Sequence, residues 1–70
     1  MSRGNMLANN IKKLREKQNL TQEQLAQKAK ITYSTLIKME SGANGNPTLE
    51  TMRKLANVFG VGLDELVGRG

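Results

Sequence analysis

Thr21 and Thr32 stand only eleven residues apart, and each opens a helix-start signature. Three positions after Thr21 comes Gln24, the spacing at which a threonine hydroxyl and a glutamine side chain satisfy each other's backbone N–H groups. Leu20 and Leu25 flank this first start at hydrophobic-staple positions, as Ile31 and Leu36 flank the second. A chain punctuated in this way cannot run as one long helix. It must form two short ones, the first from Gln22 and the second after Thr32, joined by a turn of about three residues. The first turns Leu25, Ala26 and Ala29 inward, its alanines small enough to let another helix approach closely. The second carries an apolar stripe of only Leu36 and Met39, so Tyr33, Ser34, Thr35, Ile37 and Lys38 point elsewhere.

The same punctuation divides the rest of the chain. Leu7, Ile11 and Leu14 lie on one face of a leading helix that ends near Gln18, where Asn19 fits a left-handed stop and Leu20 folds back. Gly42 ends the third helix, and Ala43-Asn44-Gly45-Asn46-Pro47 is a turn-rich loop. Thr48 caps a fourth helix whose expected buried face is Leu49, Met52, Leu55, Ala56 and Phe59, with Gly60-Val61 as its stop. A last short helix is expected from about Leu63 to Val67, its Asp64 and Glu65 placed where the helix dipole favours carboxylates. The expected fold is therefore all-α, a compact bundle of five helices. Its core is Leu7, Ile11, Leu14, Leu25, Ala29, Ile31, Leu36, Met39, Leu55 and Phe59. Residues 1–5 are expected as a flexible arm, 6–68 as the domain and 69–70 as a tail.

Composition narrows what such a bundle can do. There is no cysteine and no histidine, so disulfides, thiolate or imidazole metal sites and imidazole acid–base chemistry are absent from the repertoire. The only paired carboxylates, Asp64 and Glu65, are explained by their helix start, and no glycine-rich phosphate loop follows a strand. The expectation is a protein without cofactor or metal that is not an enzyme. No apolar run approaches the roughly 20 residues a membrane span needs, and Met1-Ser2-Arg3-Gly4-Asn5 lacks the apolar stretch of a signal peptide. A cytoplasmic location is expected, with no membrane partner. The net charge of +5 is unevenly spread: residues 1–42 hold eight basic and three acidic side chains, whereas residues 43–70 hold three of each. That asymmetry suits a polyanionic partner and equally suits a solvated face.

The distinguishing feature is the pair of short helices, the second exposing small polar, hydroxyl and basic groups. A helix of this kind fits the major groove of B-DNA with its N-terminal residues nearest the base edges. Leu20-Thr21-Gln22-Glu23-Gln24-Leu25-Ala26, then Ile31-Thr32 through Leu36, then Met39-Glu40-Ser41-Gly42, resembles the lambda-repressor/Cro (XRE-type) helix-turn-helix family of transcriptional regulators. Pro47-Thr48-Leu49-Glu50-Thr51-Met52-Arg53-Lys54-Leu55-Ala56 and Phe59-Gly60-Val61-Gly62-Leu63-Asp64-Glu65-Leu66 extend the resemblance, which covers residues from about 7 to 67.

The resemblance implies sequence-specific binding of double-stranded DNA by a transcriptional regulator, a repressor acting on a palindromic operator as a homodimer. It places Thr32, Tyr33, Ser34 and Lys38 towards the bases. Lys38 can donate to guanine, Ser34 can bond either kind of edge, and the Thr32 methyl can meet a thymine methyl. Tyr33 can reach a phosphate or base through its hydroxyl, or cover a neighbouring loop. Ile37 can touch sugar or thymine methyl groups, or be partly buried. The phosphate contacts implied are Thr21, which is also explained as a plain cap, with Gln22, Thr35, Asn44 and Asn46. Gln22 can also buttress the reading helix. Arg15 and Glu40 occupy the positions of a structural ion pair between the first helix and the end of the third. Leu63, Leu66 and Val67 form an apolar cluster expected at the dimer interface, with burial inside the monomer as the competing reading for Leu66.

Two departures from the family stand out. Lys30 sits in the interhelical turn where glycine is common, so either a lysine adopts a left-handed conformation at about 1 kcal/mol cost or the turn differs. The loop after Gly42 carries asparagines and glycines in place of lysines and arginines, which implies a shallower salt dependence of DNA binding. A rival role from another class is an antitoxin-type module that binds a partner protein, such as a toxin, and its own promoter.

Overall fold

The computed structural model describes residues 4–43 and 47–68. Over these the chain forms five helices in sequence: α1 (Gly4–Lys17), α2 (Gln22–Ala29), α3 (Tyr33–Ser41), α4 (Leu49–Phe59) and α5 (Leu63–Leu66). No strand occurs among the described residues.

Three helix starts share one device. Thr21, Thr32 and Thr48 hold extended backbone conformations, and each hydroxyl accepts the N–H of the residue three positions on. At Thr21 the arrangement is reciprocal, because the Gln24 side-chain oxygen accepts the Thr21 N–H at 2.9 Å. Four helix ends share another. Asn19, Lys30, Gly42 and Gly60 are left-handed, and the residue after each donates its N–H to the carbonyl five positions back. Those bonds are Leu20 to Arg15, Ile31 to Ala26, Ala43 to Lys38 and Val61 to Ala56, at 3.0 to 3.1 Å. This closure satisfies carbonyls the helix leaves open, and at Leu20, Ile31 and Val61 it turns an apolar residue back onto the bundle. At Lys30 it needs a non-glycine residue at φ 58°, so the lysine takes the left-handed alternative and its strain.

The core is Ile11, Leu25, Ala26, Ala29, Leu36, Met39, Leu55, Ala56, Phe59 and Leu66, drawn from all five helices. Leu7, Leu14 and Ile31 pack against it half-buried. Two side-chain bonds pin the ends of α4 and α5 to α1 and the turn that follows it: Gln18 Nε2 donates to the Phe59 carbonyl at 3.2 Å and Asn10 Nδ2 to the Leu66 carbonyl at 3.1 Å.

Three expectations need correction. Leu66 is fully enclosed in the chain's own core and so cannot present a face to a second copy; Leu63 and Val67, both half-buried, remain at that end. Leu49 is 51% exposed instead of lining the buried face of α4, because it occupies the first helical position and projects past the core. Finally, α1 begins at Gly4, so two of the residues expected in the N-terminal arm are helical.

Candidate nucleic-acid interface

Ala29 ends α2 and Tyr33 begins α3, leaving Lys30, Ile31 and Thr32 as a three-residue turn. The turn is tight because its first residue is the left-handed stop of α2 and its last is the cap of α3. Leu36 and Met39 bury the inner side of α3 against the core. That leaves Tyr33, Ser34 and Lys38 exposed, with Ile37 half-buried among them. Ser34 and Lys38 are four residues apart and therefore neighbours on one helix face, as are Tyr33 and Ile37.

Thr32 is exposed beside them, but its hydroxyl is engaged: it accepts the Thr35 N–H at 3.2 Å and donates to Thr35 Oγ1 at 2.7 Å. Its methyl group is what remains for an outside contact. Thr35 is half-buried through the same pairing. At the start of α2, Thr21 is exposed with its hydroxyl committed to Gln24, which leaves the Gln22 and Glu23 N–H groups without helical partners. Such a terminus presents a partial positive charge to an anionic oxygen. Asn44 and Asn46 lie outside the described residues.

The orientation of α3 is fixed by one buried carboxylate. Arg15 on α1 donates to Glu40 twice, Nε to Oε2 at 2.7 Å and Nη2 to Oε1 at 3.2 Å. The two side chains are 14% and 2% exposed, so the pair is largely removed from water. Arg15 Nη1 also donates to the Leu20 carbonyl at 2.9 Å, and Gln22 Nε2 donates to Glu40 Oε1 at 3.0 Å. Every buried side-chain polar atom among the described residues has a hydrogen-bond partner. The arrangement thus ties α1, the start of α2 and the end of α3 together through directed bonds, which a purely apolar contact would not orient. The Arg15–Leu20 bond was not visible in the sequence: its acceptor is a backbone carbonyl, which no residue type marks.

Among the described residues there is no cluster of acidic side chains able to hold a metal ion, and no helix is long and apolar enough to cross a membrane.

Two short helices, a three-residue turn and an exposed polar strip at the start of the second define a helix-turn-helix unit. Residues 11–66 match the helix-turn-helix family, and the chain belongs to it, in its XRE or Cro/C1 type. It is similar to the HTH-type transcriptional activator BcrR of Enterococcus faecalis, 39% identical over 57 residues that cover 81% of this chain and 28% of that protein. An HTH-type transcriptional regulator of Methanocaldococcus jannaschii is 37% identical over 60 residues, 86% of this chain and 89% of the relative. The cryptic phage CTXphi transcriptional repressor RstR of Vibrio cholerae is 37% identical over 62 residues, 89% of this chain and 55% of RstR. The chain therefore spans only about a quarter of BcrR and about half of RstR.

Proposed function

We propose that the chain binds double-stranded DNA sequence-specifically and regulates transcription as a repressor, with α3 in the major groove. The observation that carries this reading is the exposed strip of Thr32, Tyr33, Ser34 and Lys38 at one side of α3, on a helix held in a fixed orientation by Arg15, Glu40 and Gln22. In this reading Lys38 donates to guanine O6 and N7, Ser34 bonds a base edge, Tyr33 uses its hydroxyl and Thr32 offers its methyl to thymine. Thr21, Gln22 and Thr35, with Asn44 and Asn46, set the register on the backbone. A homodimer formed through Leu63 and Val67 would place two reading helices about 34 Å apart on a palindromic operator. A cytoplasmic location follows from the same reading.

Selection from a pool of randomised duplexes tests it. Recovery of a palindrome with half-sites one helical turn apart supports the proposal, and recovery of no preferred sequence rejects it. Placing the recovered operator across a reporter promoter then separates repression from activation.

A further inference from the structure

We propose that the groove between the end of α2 and α4 docks an acidic segment of a second protein, its carboxylates held by Lys28, Lys30 and Lys54. The proposal goes beyond DNA reading and does not depend on it. The groove has a volume of about 240 Å³ and is lined by Lys28, Ala29, Lys30, Lys54, Asn57 and Val58.

Three ammonium groups converge there with little to neutralise them. Lys28 and Lys30 are exposed and take part in no ion pair among the described residues. Lys54 Nζ lies 3.7 Å from Glu50 Oε2, but the two side chains are 41% and 81% exposed, and a pair so open to water is weak and yields to a better acceptor. The helix dipole accounts for Lys28 in the last turn of α2, yet not for Lys54, which stands in the middle of α4. Lys30 is held at φ 58°, where glycine would relieve the strain and a lysine does not. Backbone strain that the fold does not need marks a residue retained for another role. Here the strained residue adds a third positive charge to the groove.

The position and chemistry of the groove favour a protein segment over DNA. α2 packs against both α3 and α4, while α3 and α4 share little contact, so the groove opens beside α4 and includes no residue of the reading helix. Between the ammonium groups lie Ala29 and the half-buried Val58, an apolar floor that a sugar–phosphate backbone has no use for. An amphipathic helix with glutamates or aspartates around one apolar side chain matches both parts: the apolar group covers Val58 and the carboxylates meet the lysines. The Asn57 amide can add a directed hydrogen bond to the bound segment.

The probe is a fluorescein-labelled synthetic helix of glutamates with one leucine per turn, beside a control peptide whose leucines are replaced by glutamine. Each is titrated with the full chain by fluorescence anisotropy. Wild type is expected to prefer the leucine peptide, and Lys28→Gln, Lys30→Gly and Lys54→Gln should each weaken it about threefold. Lys30→Gly is the decisive variant, because it should bind the peptide less well while unfolding at a higher urea concentration, which no folding defect can imitate. Lys13→Gln removes the same charge from a different groove, lined with Asn10, Leu14, Lys17 and Glu65, and should leave peptide binding unchanged. Equal weakening by Lys13→Gln, or no binding of either peptide, overturns the proposal. Loss of affinity for duplex DNA in the three groove variants would assign the lysines to DNA, and loss of self-association in sedimentation would assign them to a second copy of this chain. Either result overturns the proposal, and none of these outcomes removes the DNA-reading function, which the selection of duplexes tests separately.

Discussion

Gln22, the first residue of α2, donates its side-chain amide over 3.0 Å to Glu40, the penultimate residue of α3. Because the same carboxylate accepts two bonds from Arg15, one buried side chain holds three helices in register. Removing a single partner should therefore do more harm than removing the ion pair. Arg15→Met leaves the Glu40 charge buried and unpaired and is expected to cost about 3 kcal/mol in urea denaturation. The double variant Arg15→Met with Glu40→Leu should recover most of that loss. Equal destabilisation by single and double variants would show that the pair is not coupled.

Lys30 holds φ at 58°, where an L side chain is strained and glycine is not. Lys30→Gly is expected to raise stability by about 1 kcal/mol, seen as a higher urea midpoint at unchanged slope. Asn19 shares the same φ, but asparagine tolerates it better, so Asn19→Gly should gain less. A loss of stability in Lys30→Gly would mean that the turn is not left-handed in solution.

Thr32 carries two separable roles, a hydroxyl that caps α3 and a methyl assigned to thymine. Thr32→Ser should keep the thermal midpoint and lower affinity only for sites with thymine at the contacted position. Thr32→Val should do the reverse, keeping an apolar contact while losing about 1 kcal/mol of helix capping. Calorimetry paired with binding to two operators reads both effects.

Leu66 is fully buried within one chain, whereas Leu63 and Val67 are half-buried. Leu66→Ala should cost about 2 to 5 kcal/mol at any protein concentration, as expected for a core cavity. Leu63→Ser and Val67→Ser should instead weaken self-association, measured by sedimentation equilibrium. A Leu66→Ala defect that disappears as protein concentration rises would return this residue to the dimer face.

What could be read from the sequence was the local chemistry. The caps at Thr21, Thr32 and Thr48 and the stops at Asn19, Gly42 and Gly60 depend on residues within a few positions of one another, so a single chain displays them. Leu66 could not be assigned in the same way. In a helix of four residues every side chain lies within about one turn of the rest, and periodicity does not distinguish Leu63, Leu66 and Val67. Contact with the core, including the bond from Asn10 fifty-six positions away, decides which one turns inward. Leu49 misled for a related reason: it keeps the three-residue spacing to Met52, yet at the first position of α4 there is no core left to cover it. Ala8 is buried without having been expected there, since one alanine adds little to an apolar pattern. On α3, the spacing of Leu36 and Met39 was enough to expose the remaining strip. The clamp behind that strip joins positions eighteen and twenty-five residues apart, and only the resemblance to known regulators pointed to it.

The measurement closest to the central claim is selection of randomised duplexes by wild type and by Lys38→Ala, followed by affinities for every single-base variant of the recovered operator. The account predicts that wild type recovers a palindrome and that Lys38→Ala loses discrimination of about 1 to 3 kcal/mol at one symmetric guanine position, leaving the other positions intact. A uniform loss across all sequences would place Lys38 on the backbone, and an unchanged base profile would contradict the assignment of α3 as the reading helix.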